Sequence, residues 1–263
     1  MKIFIMGVGR MGAWLTEELC HQHQVAVYDC ERTKMKYLIN VKRLTSLAQV
    51  AHFKPHMVIN AVTAHNTIAA FEELTGLIPA ECLLADIASV KAEVAQYYQG
   101  TGRRFVSTHP MFGPTFSNIR DLHNENAIII TESDPAGKEF FQRFFYSLHL
   151  NIYEYTFEEH DRTTAYSLGT PFASSLTFAA NMKPQKVPGT TFRKHLEIVR
   201  GLLSEDDYLL SEVLFNPCTL QQIEHINSRL AYLTHIIRAR DYEEMKRFLD
   251  GLRKNVAEVE KST

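Results

Sequence analysis

Lys2-Ile3-Phe4-Ile5-Met6-Gly7-Val8-Gly9-Arg10-Met11-Gly12 opens with an apolar run and closes on G-x-G-x-x-G. The run predicts a strand over 2–6, and the periodicity from Met11 to His21 predicts a helix, so the glycines fall on a strand-to-helix turn. Each glycine has a physical reason to be there. The first allows the tight turn, the second lets backbone approach a pyrophosphate closely, and the third packs helix on strand. The helix N-terminus adds amide donors and the positive end of a dipole. Gly7, Val8, Gly9, Arg10, Met11 and Gly12 are therefore expected to hold a dinucleotide. With twelve glycines in 263 residues the motif alone is weak, and its strand–helix setting is what gives it force.

The next requirement is an acid at the end of the second strand. Asp29 follows Val25-Ala26-Val27-Tyr28, 17 residues after Gly12. A carboxylate there accepts hydrogen bonds from ribose hydroxyls and repels a 2′-phosphate, which favours NAD over NADP. Arg32 pulls the other way, because a nearby arginine can hold that phosphate.

Outward from this unit, short apolar runs alternate with helical patterns. Strands are expected at 2–6, 25–28, 57–61, 83–86, 104–107, 127–131 and 150–155, with helices at 11–21, 67–74, 91–98 and 136–148 between them. Such alternation means crossover units, a mostly parallel sheet and helices on both faces. Near Thr156 the pattern changes. Thr156-Phe157-Glu158-Glu159 reads as a T-x-x-E capping box, and beyond it every pattern is helical. The expected architecture is α/β. A Rossmann-type doubly wound domain spans 1–156, and an all-α substrate and dimerisation domain spans 157–263. Ile223, Ile226, Leu230, Leu233 and Ile237 form an apolar stripe, as do Met245, Phe248, Leu249 and Leu252. Stripes this wide suit internal core or a subunit interface equally, and a homodimer through the helical half is expected.

Totals narrow the partners. Net charge is −2, with 45% hydrophobic and 22% charged residues, so a nucleic-acid or anionic-membrane partner is not expected and a small substrate is. No apolar run approaches the ~18 residues of a membrane span, and the first residues lack a signal-peptide layout. Four cysteines (Cys20, Cys30, Cys82, Cys218) stand apart without a C-x-x-C pair, which points to reduced thiols in a cytoplasm and to no metal site.

Ligands of open α/β sheets bind outside the carboxyl ends of strands. Three such ends are polar: Asn60-Ala61-Val62-Thr63, whose Ala61 and Val62 are counted with the cofactor residues, Asp86-Ile87-Ala88-Ser89-Val90-Lys91, and Thr108-His109. A hydroxyl from Ser89, an amine from Lys91 and an imidazole from His109 are thus expected above the nicotinamide. Each has a plainer alternative, Ser89 as a helix cap, Lys91 as a solvated charge and His109 as a turn residue. His109-Pro110-Met111-Phe112-Gly113-Pro114 is expected to be a loop stiffened by two prolines that hold the imidazole still.

D-I-A-S-V-K followed by H-P-M-F-G-P, behind an N-terminal G-x-G-x-x-G, resembles the prephenate dehydrogenase family, which includes arogenate dehydrogenases. The likeness is dense over residues 1 to about 165, and His160-Asp161 resembles the family's His-Asp pair. It implies NAD-dependent oxidative decarboxylation of prephenate to 4-hydroxyphenylpyruvate in tyrosine biosynthesis. His109 would be the proton acceptor, with Ser89 hydrogen-bonded to His109 or to the substrate hydroxyl. It also implies a helical-domain arginine on the substrate's side-chain carboxylate. Arg200, before Ser204-Glu205-Asp206-Asp207, fits within one residue of the family spacing, and Arg193 two turns earlier is the second choice. Lys91 is counted with them. One departure stands out. Leu168-Gly169-Thr170-Pro171-Phe172 lacks the histidines that family members carry beside this proline, which leaves feedback inhibition and the choice between prephenate and arogenate open. A non-catalytic nucleotide-binding regulator would keep the glycines but has no need of Ser89 and His109 together.

Overall fold

The computed structural model describes residues 1–113, 121–123 and 125–261. The elements run β1 (Lys2–Met6), α1 (Arg10–Leu19), β2 (Gln24–Tyr28), β3 (Lys42–Arg43), α2 (Val50–Phe53), β4 (Met57–Asn60) and α3 (Thr67–Thr75). Next come β5 (Leu83–Asp86), α4 (Ala92–Thr101), β6 (Phe105–Pro110), β7 (Asn126–Ile130), α5 (Pro135–Ser147) and β8 (Asn151–Tyr155). Helices follow: α6 (Phe157–Thr164), α7 (Thr170–Ala180), α8 (Thr190–Leu202), α9 (Asp207–Phe215), α10 (Thr219–Ala239) and α11 (Tyr242–Glu260).

The strands form one sheet in the order β3-β2-β1-β4-β5-β6-β7-β8. It is parallel from β3 through β6, then β7 pairs antiparallel with β6 and β8 parallel with β7. Chain order reverses between β1 and β4, and a crevice for a ligand opens at such a switch point. Alternate residues of β1 enter opposite cores, as the two-residue period of a strand requires. Ile3 and Ile5 join Trp14 and Leu15 of α1 and Phe141 and Phe145 of α5. Phe4 and Met6 join Phe71 and Leu74 of α3 and Val94 and Tyr98 of α4. The sheet is therefore covered on both faces, and its central strands read as unbroken apolar runs.

Two features differ from the sequence expectation. β3 is two exposed residues and carries no apolar signature. β6 continues past Ser107 through Pro110, because Thr108, His109 and Pro110 pair with Ile129, Ile128 and Ala127 of β7. His109 is thus held in the sheet and not in a proline-stiffened loop. Pro114 lies outside the described residues. The sheet ends at Tyr155, and the chain forms two compact units, Met1–Thr219 and Leu220–Thr263.

Thr156 caps α6 as its sequence suggested. Its hydroxyl accepts from the Glu159 amide at 3.1 Å, and the Glu159 carboxylate accepts from the Thr156 amide at 2.8 Å. A π turn over Ala165–Gly169 joins α6 to α7. In the second unit, Asp241 caps α11 by accepting from the Glu244 amide at 2.9 Å, and Tyr232 meets Phe248 edge-on at 5.8 Å. Leu230, Ile237, Leu249 and Leu252 of the two stripes are exposed on the single chain. Among the described residues no helix is long and apolar enough to cross a membrane.

Candidate active site

The glycine loop is shaped by three different constraints. Gly7 has φ +90°, and a Cβ there would stand 2.7 Å from the Val62 nitrogen and 2.8 Å from the Ala61 carbonyl. A Cβ on Gly12 would lie 2.0 Å from the Gly7 oxygen. Both positions are closed by backbone, which leaves no side chain to yield. Ala61 and Val62 therefore act as the wall against which the loop turns, and the Ala61 amide donates to the Met6 carbonyl at 2.8 Å. Gly9 is the opposite case, since a Cβ there would meet nothing within 4 Å. It is the N-cap of α1, no side chain caps that helix, and its first turn holds no acid. Open space in front of uncapped amides at a helix N-terminus fits the pyrophosphate of a dinucleotide. Arg10 is exposed, Met11 is half-buried and Val8 is buried.

Asp29 is buried at the end of β2 and bound to the loop itself. Its Oδ2 accepts from the Val8 amide at 2.7 Å and its Oδ1 from the Glu31 amide at 2.8 Å. The Cys30 thiol also approaches Oδ1 at 3.7 Å, and Oδ2 keeps a second lone pair for a ribose hydroxyl. Arg32 donates to the Thr45 carbonyl at 2.9 Å, so its guanidinium is engaged beside the site.

His109 is 3% exposed. Burial pushes its pKa well below the usual histidine value, and the neighbouring His160 and the Lys91 ammonium push it further. It is a neutral imidazole at neutral pH. Nδ1 of His109 lies 2.9 Å from Nε2 of His160, whose own Nδ1 lies 3.1 Å from Oδ1 of Asp161. Burial, with the Lys91 charge, lowers His160 to about 3. Asp161 also accepts from the Lys91 amide at 3.3 Å, and its carbonyl accepts from Asn216 at 2.9 Å. These bonds join α6 to the loop ahead of α4 and to the end of α9.

Lys91 is not a solvated charge. Its side chain is fully buried, and its ammonium donates to Asp86 Oδ1 at 2.5 Å and to the Thr108 carbonyl at 2.8 Å. Tyr98 donates to the other oxygen of Asp86 at 2.9 Å. Desolvation lowers the Lys91 pKa against the pull of Asp86, while Tyr98, buried beside the same carboxylate, is raised. Two of the three ammonium hydrogens are thus held inside the protein. The ammonium is a fixed charge beneath two histidines. Ser89 is half-buried in the loop after β5 and does not cap α4, whose N-cap is Lys91. Its hydroxyl makes no hydrogen bond to His109 among the described residues and is available to a ligand.

Arg200 and Arg193 are exposed on α8, whose buried side is Val199 and Leu202. Arg193 reaches Thr190 Oγ1 at 3.4 Å, and Arg200 makes no ion pair among the described residues. Neither arginine is joined to the His109 cluster by a hydrogen bond among those residues. Phe112 follows β6 and meets Trp14 of α1 edge-on at 5.2 Å, tying the histidine strand to the nucleotide helix.

The sequence pattern described as prephenate dehydrogenase, nucleotide-binding domain, matches residues 13–148. The chain belongs to the prephenate dehydrogenase family. The match takes in Asp29, Ser89 and His109 and begins after the glycine loop. A prephenate dehydrogenase from A. aeolicus, crystallised with hydroxyphenyl propionate and NAD+, superposes with a TM-score of 0.84 at 21% identity, over 98% of each chain. Synechocystis arogenate dehydrogenase gives 0.77 at 19% identity, over 98% of this chain and 100% of that one. At these identities the likeness establishes the fold. A probable arogenate/prephenate dehydrogenase of Methanocaldococcus jannaschii is 23% identical over 206 residues, 72% of this chain. The chain spans 45% of that curated relative's length.

Proposed function

We propose that the protein is an NAD-dependent dehydrogenase that converts prephenate to 4-hydroxyphenylpyruvate and CO2. The observation that carries this reading is His109, a buried neutral imidazole at the carboxyl end of β6, in the sheet whose β1–α1 turn fits a dinucleotide. A family whose pattern covers His109, Ser89 and Asp29 supports it.

Gly7, Gly9, Gly12 and the first turn of α1 would hold the pyrophosphate, and Asp29 the adenosine ribose. Bound there, NAD+ supplies the acceptor for the hydride that leaves C4 of the substrate. His109 accepts the hydrogen of the C4 hydroxyl as that hydride departs and returns it to the phenolic oxygen once the ring carboxylate has left as CO2. Prephenate dianion and NAD+ thus yield 4-hydroxyphenylpyruvate anion, CO2 and NADH, with atoms and charge balanced. A neutral base matched to this transfer is worth roughly 10²–10⁴ in rate. Aromatisation and CO2 loss drive the reaction, so the protein's work is to position and polarise. Ser89, with its hydroxyl uncommitted, orients the substrate oxygen toward His109. Arg200, or Arg193 in its place, takes the side-chain carboxylate, for which a guanidinium fork is suited.

Arogenate is the second reading. It is kept open by the missing histidines at Leu168–Phe172 and by the double name of the Methanocaldococcus jannaschii relative. We further propose a homodimer through the exposed stripes of α10 and α11, acting in the cytoplasm, where the four free cysteines stay reduced.

Purified protein offered prephenate or arogenate, each with NAD+ or NADP+, tests the assignment. NADH formation with prephenate is expected to be fastest. Faster turnover of arogenate selects the second reading, and no turnover in any mixture overturns both.

A further inference from the structure

A neutral histidine presents a base on only one of its two nitrogens, so a proton acceptor must be held in one tautomer as well as in one place. Three groups around His109 form a line that makes this choice. Asp161 Oδ1 can only accept, so the hydrogen in its 3.1 Å contact with His160 belongs to His160 Nδ1. A neutral His160 then has its lone pair on Nε2. The 2.9 Å contact from that atom to His109 Nδ1 therefore requires the hydrogen on His109 Nδ1. His109 Nε2 is left bare.

We propose that His160 and Asp161 are positioning residues that lock His109 as its Nδ1–H tautomer and so make Nε2 the atom that meets the substrate. The inference rests on the dehydrogenase reading for its consequence in catalysis, but not for its structural content.

The surroundings agree from every element packed on the pair. The line begins on α6, with Asp161 at its far end. From the loop ahead of α4, the buried Lys91 ammonium opposes protonation of both rings, and its partner Asp86, bonded to Lys91 and Tyr98, favours protonation of His160 more weakly than Lys91 opposes it. Thr164 Oγ1 stands 3.5 Å from His160 Nε2, a longer contact than the one from His109, and competes weakly. Asp161 is itself fixed by the Lys91 amide and, through its carbonyl, by Asn216. When His109 accepts a proton, the Asp161 carboxylate is the nearest charge in line to stabilise the imidazolium, through His160 and without moving a second proton.

Long-range 1H–15N correlation spectra of histidine-labelled protein near pH 7 test this directly on the wild type. The expected result is a neutral His109 carrying its hydrogen on Nδ1. A hydrogen on Nε2, a tautomer mixture or an imidazolium would each overturn the proposal. In Asp161→Ala, His160 is freed to carry its hydrogen on Nε2, which turns His109 Nδ1 into an acceptor. The His109 tautomer should reverse and kcat fall roughly 10²-fold or more, with NAD+ affinity unchanged. His160→Gln, whose amide oxygen still accepts from His109 Nδ1, should keep at least tenfold more kcat than His160→Leu. Equal losses in those two variants, or an unchanged His109 spectrum in Asp161→Ala, count against the relay. If the tautomer is as expected but no substrate turns over, the dehydrogenase reading fails and the relay stands.

Discussion

Holding two imidazoles neutral inside the protein has a cost that appears on acidification. His160 titrates at about 3 in the folded chain against 6.5 in a free side chain, chiefly because burial opposes its charge. The sign follows from proton binding. Between those values the unfolded chain binds a proton that the folded chain refuses, so stability is complete above about pH 6.5 and drains away as pH falls. At pH 5, about 1.5 units below the free value, the loss from His160 alone is about 2 kcal/mol. His109 is shifted the same way and adds to it. Urea unfolding at pH 7 and pH 5 measures the loss, and a His160→Gln variant removes it together with the part of the His109 shift that His160 causes. The wild type should lose at least about 2 kcal/mol more than the variant between the two pH values, a sizeable part of the stability of a domain. Equal losses in both proteins would refute the assignment of His160 as a buried neutral base.

Other consequences can be checked more simply. Gly7→Ala forces a Cβ into the Ala61–Val62 backbone at φ +90° and should lower the melting temperature, at a cost of about 1–3 kcal/mol or more. Gly9→Ala, with open space around the new methyl, should fold normally yet bind NAD+ at least tenfold more weakly in a titration. Asp29→Asn keeps an acceptor for the Val8 amide while removing the charge, and should narrow the preference for NAD+ over NADP+ by about tenfold, or roughly 1.4 kcal/mol. Arg200→Ala should raise the substrate KM at least tenfold with little change in NAD+ affinity. If only Arg193→Ala does so, the carboxylate partner is Arg193.

How much was legible in the sequence depended on range. β1, β2, β4 and β5 could be read because strands buried on both faces are continuous apolar runs, and the glycine turn because each glycine answers a local steric need. The capping box at Thr156 was legible for the same reason, since all its atoms lie within four residues. β3 was not, because Lys42 and Arg43 are exposed and carry no pattern. The end of β6 was misjudged because pairing with β7, not composition, extends it to Pro110. Lys91 shows the limit most clearly. A lysine after a strand end reads as a solvated charge until the Thr108 carbonyl, 17 residues on, is seen to bury it. His160 meets His109 across 51 residues, and only the fold makes that contact. A signal did exist in the His160-Asp161 dipeptide, an imidazole adjoining its own carboxylate, but nothing local says which ring it serves.

The central claim is that His109 is the proton acceptor of a dehydrogenase built on this sheet. The most direct test compares wild type with His109→Asn, following NADH formation from NAD+ and the better of prephenate and arogenate, with NAD+ affinity measured on the same samples. The account predicts unchanged NAD+ binding and a kcat lower by roughly 10²–10⁴. Undiminished turnover in the variant would contradict it.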